Sequence, residues 1–501
     1  VAIGSNAMDA NTSGKNNVAV GHDALSGNTT ADNNTAIGKS AMEVNTTGYD
    51  NVAVGRNSLD ANTSGHSNTA VGESSLTSNT TGDRNIAIGQ NSMSVNTTGS
   101  ENVAIGRNAL DANTTASSNV AVGDSALTAN TTGAGNTAIG AEALDSNTTG
   151  GYSVAIGNRA LQANTDISGN VAIGADAMYT NTVGDKCVAV GSDTLKLNTT
   201  AVHCTAIGHS ALTANTTGGN NTAVGKGALD ANTTATNNTA VGIDALGSNT
   251  TASNNTAVGK GALESNTTSE LNTAVGSRCG EDITTGANNT FMGYVTGSAV
   301  TTGSQNTLIG YACGSTGLGL TTGSQNMLVG VFNDTTAADA SGCHGFGYNL
   351  DCAPDFTTLG SATTDSRLAH GGTTWATISD IRVKKDIEDS KAGLSFINDL
   401  RPVTFNYKNL GDIPKEFKGY EEGSTEAYRN SKRQHGFVAQ EVKEAIDNHP
   451  EIVDGFKMWH ELDHTGQQEV ADGYLIPMLT KAIQELSAEV EKLKAKLNEG
   501  E

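Results

Sequence analysis

TAVGKGALDANTTATNN, residues 222–238, is one unit of a repeat that organises most of the chain. Units of this pattern begin at Val1, Val18 and Thr35 and recur every 17 residues to Thr307, which makes 19 starts without an insertion; the next begins at Met327, after 20. Counting from Thr222, position 3 is almost always Ile or Val and position 8 Leu or Met, so a unit carries only two substantial apolar side chains, here Val224 and Leu229. One unit cannot fold alone. Stacked units would align these residues in continuous internal rows, with TAV or VAI as a short strand on every turn.

The remaining positions take roles in the same stack. Glycine at position 4, such as Gly225, suits a corner of positive φ or close backbone approach. Asparagine at positions 11 and 17, such as Asn232 and Asn238, is expected to ladder from turn to turn through its amide. Positions 5, 6, 9, 15 and 16 vary and hold most of the charges, so they should face water. The expected fold is an all-β parallel β-solenoid, and at about 4.8 Å per turn the regular turns would extend roughly 90 Å. A helical solenoid is excluded, because 17 residues are too few for a helix pair and β-branched residues, Asn and Gly dominate. The recurrent NTT triplets match a glycosylation acceptor pattern, but they recur because the structural unit recurs.

Composition agrees. Of 501 residues 60 are glycine and 4% are aromatic; before residue 289 the only aromatics are Tyr49, Tyr152 and Tyr179, and no proline precedes Pro354. The formal net charge of −23 divides unevenly: residues 1–378 carry 12 basic and 28 acidic residues, whereas residues 379–501 carry 17 and 24. Charge density therefore rises sharply near residue 379, which marks a boundary. The acidic balance, with no basic patch, excludes nucleic acid as a partner. No apolar run is long enough for membrane insertion, and the start at Val1 leads us to expect a further N-terminal attachment region. Six cysteines are too few for a disulfide scaffold; Cys187 and Cys204, one repeat apart, read as a reduced buried pair.

From Thr290 the repeat degrades, and by Gly342 it dissolves into CHGFGYNLDCAPDF. Residues 1–340 are thus assigned to the solenoid and 341–378 to a cap or tip with a linker. Phe346, Tyr348, Phe356 and Trp375 read first as cover for an open strand edge and second as a platform for sugar rings. Cys343 and Cys352 are left as a loop-closing pair or as free thiols. His344 and His370 are isolated, so no metal or cofactor is expected.

The NTAVG and NVAIG motifs resemble the head repeats of trimeric autotransporter adhesins, over residues 1 to about 330. That resemblance implies a left-handed β-roll with three chains side by side, although those heads use shorter repeats.

The C-terminal 379–501 segment reads SDIRVKKDIEDSKAGLSFINDLRPVTFNYK from Ser379, HGFVAQEV from His435, and YLIPMLTKAIQELSAEVEKLKAKL near its end. These motifs, in this order, resemble the intramolecular chaperone at the C-termini of endosialidases and other phage tail spikes and fibres. The resemblance implies a mixed α/β domain that assembles three chains and then cleaves itself off before the motif serine. Carried onto this chain, the scissile bond is Ile378–Ser379, with Ser379 as nucleophile and Lys384 as base, the pair of a serine–lysine autoprotease acting once in cis. Asp380 and Arg382 support the dyad or pair with one another. Lysine desolvated in an assembled interface can lose its proton near neutrality and activate a hydroxyl.

Independently, Ile476, Leu479, Ile483, Leu486, Val490, Leu493 and Leu497 alternate spacings of three and four, the seam of a coiled coil over residues 475–497. The expected whole is a homotrimeric phage virion fibre, made in the host cytoplasm, that binds a host cell-surface receptor such as a glycan and joins other tail proteins. A trimeric bacterial surface adhesin and an ice-binding solenoid with threonine rows are the alternatives. A polysaccharide depolymerase is disfavoured, because the scattered acids of the repeat offer no carboxylate pair.

Overall fold

The repeat units from Val18 to Met292 each place a three-residue strand at positions 1–3, and the strands stack in parallel at a constant register. Thr222, Ala223 and Val224 pair with Thr239, Ala240 and Val241, one unit later. The computed structural model, which describes residues 1–317, 319–377, 381–452, 457–461 and 466–498, forms a parallel β-solenoid of about 21 turns. The chain divides into two compact units, Val1–Ile378 and Ser379–Glu501.

The row that faces inward from the strand is position 2, not position 3. Side chains alternate along a strand, and here Ala223, Ala240 and Ala257 are fully buried while Val224 and its equivalents point out. Ile37 remains 40% exposed. The expectation that position 3 lies inside is therefore corrected; the interior is so narrow that alanine fills the strand side. Position 7, usually Ala or Ser, and position 8, Leu or Met, fill the rest. Leu229 and its equivalents adopt φ near +53°, a left-handed conformation that folds the coil sharply enough to turn leucine inward.

Gly225 has φ of +140°, and a Cβ there would lie 2.3 Å from the Gly242 carbonyl oxygen on the next turn. Position 4 must be glycine on both counts. At position 11 the Asn232 amide donates to Asn215 Oδ1 at 2.7 Å and receives the Asn249 amide at 3.0 Å, a continuous ladder. Position 17 ladders in some turns, as from Asn85 Nδ2 to Asn68 Oδ1 at 3.2 Å, and also binds backbone. Its side-chain oxygen accepts a backbone N–H one turn on, as from Asn238 N to Asn221 Oδ1 at 2.9 Å, and its amide donates to a carbonyl, Asn238 Nδ2 to Ala252 O at 2.9 Å. Both rows satisfy polar groups that lie buried inside the coil. On the outside, charges at variable positions pair one turn apart, as in Arg84–Glu101 at 2.7 Å and Arg107–Asp124 at 2.9 Å.

Parallel stacking continues beyond residue 340, with strands lengthened to five residues at Thr307–Tyr311, Met327–Val331 and His344–Tyr348. The last parallel strand, Phe356–Ser361, is followed by Ser366–Ala369 and Ala376–Thr377, both antiparallel. A reversed strand ends the register and covers the edge that another turn would use.

The second unit is built from α1 (Leu394–Asp399), α2 (Ala439–Asp447), α3 (Leu475–Asn498) and two small antiparallel pairs, Val403–Phe405 with Gln434–Gly436 and Trp459–Glu461 with Gln468–Val470. Phe396, Val442, Ala445, Ile446, Met458 and Leu475 form its core. The first turns of α3 join this core through Leu475 and Met478, and Glu485 Oε2 accepts the Leu394 N–H at 2.8 Å, satisfying the first turn of α1. All seven seam residues of α3 remain 42–72% exposed.

Candidate functional site

The motif that opens the second unit forms a short 3-10 turn, Ile381–Val383, closed by the Lys384 N–H on the Ile381 carbonyl at 3.2 Å. Lys384 and Arg382 are exposed. Ile378, Ser379 and Asp380 lie outside the described residues, so the scissile bond, the nucleophile and one supporting carboxylate have no described position. The motif's aliphatic residue, Ile387, is 62% exposed, which leaves this stretch without a core of its own in the single chain.

Farther along, the structure brings together groups that sequence spacing did not reveal. His449 is buried between Asp399 of α1, 2.8 Å from Nε2, and Glu451, 2.9 Å from Nδ1, with Phe396 edge-on to its ring. Hydrogen bonds to Glu451 and Asp399 raise its pKa, and the same contact holds Glu451 below the usual carboxylate range. The residues lie 50 positions apart in the case of Asp399, so no local motif signals the clamp. A pocket of about 360 Å³ lies between Tyr407, Phe417, Tyr428, Ile413 and Pro414.

In the solenoid, all six cysteines are free and buried. Cys187 and Cys204 occupy position 17, where the Cys204 N–H donates to Cys187 Sγ at 3.3 Å in place of the asparagine oxygen. Burial pushes the Cys279 and Cys352 thiols up to about 12 and that of Cys343 to about 11, so these three are not ready nucleophiles. At the tip, Tyr294 stacks on Tyr311, Phe332 bridges to Tyr348, and His344 and His370 lie 4.6 Å apart between ring centres. Phe346, Tyr348 and Trp375 stay partly exposed, and Phe356 is half-buried. Among the described residues no three His, Cys, Asp or Glu side chains converge as a metal site.

No curated protein and no solved structure matches the chain. Residues 379–450 match the family model described as chaperone of endosialidase, Peptidase_S74. The match ends before α3, so the heptad seam stands on its own pattern. From the first residue of its second compact unit, the chain is similar to this chaperone family.

Proposed function

We propose that the chain is a homotrimeric fibre of a phage virion, whose solenoid binds a host surface receptor and whose C-terminal unit chaperones trimer folding and is then released by cleavage at Ile378–Ser379. The observation that carries this reading is the coincidence of the chaperone match with the compact unit, both starting at residue 379.

Two unpartnered apolar surfaces support self-association. One is the heptad seam of α3. The other is the outward strand face of the solenoid, where Val and Ile at position 3 repeat with partly exposed side chains from turn to turn. Contiguous apolar surface of this extent marks contact surfaces rather than ordinary exterior.

In the proposed reaction the assembled trimer desolvates Lys384, whose Nζ then takes the proton of the Ser379 hydroxyl. Ser379 Oγ attacks the Ile378 carbonyl carbon, the peptide nitrogen leaves as an amine carrying that proton, and water hydrolyses the resulting ester. The products are a carboxylate on Ile378 and a new amino terminus on Ser379. An unassembled chain, in which Lys384 is exposed, does not cleave. Mass spectrometry of the expressed protein tests this. Wild type should yield a fragment starting at Ser379, Ser379→Ala none, and Lys384→Ala little or none, with all three chains still associating. Cleavage in Ser379→Ala at the wild-type rate, or a cut elsewhere, would refute the mechanism.

A further inference from the structure

Position 15, one of the variable columns of the solenoid, is mostly filled by small side chains. In the ten turns from Ser100 to Ser253, position 15 holds Ser, Ala, Gly, Val, Thr and a single Asp. Between residues 32 and 84 the same column instead reads Asp32, Tyr49, His66, Asp83, and the neighbouring position 16 reads Asn33, Asp50, Ser67, Arg84. No comparable run of chemically specific residues occurs elsewhere in this column.

These side chains are organised. The Tyr49 and His66 rings stack with centroids 4.8 Å apart and planes 14° from parallel. His66 is in turn held by Asp83, which lies 3.3 Å from Nε2 and accepts the His66 backbone N–H at 2.8 Å. One face of Tyr49 is therefore backed by a fixed partner. Tyr49 also lines a pocket of about 290 Å³ shared with Thr30, Asp32, Asn33 and Thr47. Asp32 is oriented by the Lys15 N–H on Oδ1 at 2.6 Å, and Asn33 by Asn16 at 3.1 Å and Asp50 at 3.0 Å.

We infer that this pocket is a subsite for one neutral pyranose ring, its C–H face on Tyr49 and its hydroxyls on Asp32 and Asn33. An electron-rich ring face attracts the weakly positive C–H edge of a sugar, and an ionised carboxylate is a strong acceptor for hydroxyl donors. The volume lies at the lower limit of ligand pockets and suits one ring. Asp32 and Asp50, on a chain of net charge −23, repel sialic and uronic acids. The site rests on reading the solenoid as the receptor-binding part of the fibre.

Saturation-transfer NMR on the full chain, with methyl glycosides of glucose, galactose, mannose, rhamnose and N-acetylglucosamine, and with a methyl sialoside as the anionic control, tests it. At least one neutral glycoside should bind. Tyr49→Ala and Asp32→Asn should each weaken it roughly tenfold or more, and Tyr49→Phe should retain it. Binding by none of the neutral sugars, binding undiminished in both Tyr49→Ala and Asp32→Asn, or preference for the sialoside would overturn the site. A trimeric, self-cleaving chain that fails here would lose this site and keep the fibre reading.

Discussion

Position 8 shows how one residue type settles the coil. A leucine at φ near +53° is disfavoured by about 1–2 kcal/mol, whereas fully burying its side chain contributes about 1.5–3 kcal/mol. Burial wins, by a margin that depends on tight packing. Leu229→Ala should therefore destabilise the stack by roughly 2–5 kcal/mol, whereas Val224→Ala, on the outer face, should leave intrachain packing nearly intact and weaken association between chains. Thermal melting of the two variants, read with their oligomeric state, checks the contrast; equal destabilisation would mean that position 3 is packed within the chain after all. The glycine, the position-11 asparagine and the leucine rows were legible from the 17-residue period. The facing of position 3 was not, because apolar character alone does not say whether Val224 meets its own core or another surface, and the alanine beside it gives a weak hydrophobic signal. The left-handed leucine was also invisible, since nothing in a leucine announces positive φ.

At the scale of elements, the repeat made the strands legible because each copy restates the same register, and the antiparallel closure after Ser361 was foreseen only as a cap of unspecified form. In the second unit, motif order and the alternating seam pointed to a mixed domain ending in a helix, but not to the contacts joining α1, α2 and α3. The His449 clamp illustrates the gap: its carboxylates come from two elements and the histidine looks isolated in sequence. Because His449 is held above its usual pKa, the stability it gives is fully present below the unfolded value of about 6.5. It is lost as pH rises through the raised value. Glu451, depressed, contributes stability that is present above the ordinary carboxylate range and lost as pH falls through its lowered value. The junction of α1 and α2 should be tightest between those limits. Hydrogen exchange of α1 and α2 amides should speed up above neutrality in wild type, after correction for the intrinsic rate, and His449→Gln should remove that pH dependence; an unchanged profile in the variant would show that the clamp does not hold the helices.

For the whole molecule, the two units pose complementary problems. The solenoid satisfies its backbone and asparagines from turn to turn, yet it exposes a long row of Val and Ile; the second unit closes a small core, yet it exposes every residue of a heptad seam. Both surfaces are accounted for if copies of the chain associate along them, with the chaperone-like unit bringing the chains together and then departing. The central claim is therefore the number of chains. Native mass spectrometry of the Ser379→Ala protein, which keeps both units joined, should give a single assembly of three times the 51.0 kDa chain. A stable monomer, or a dimer, would contradict the account.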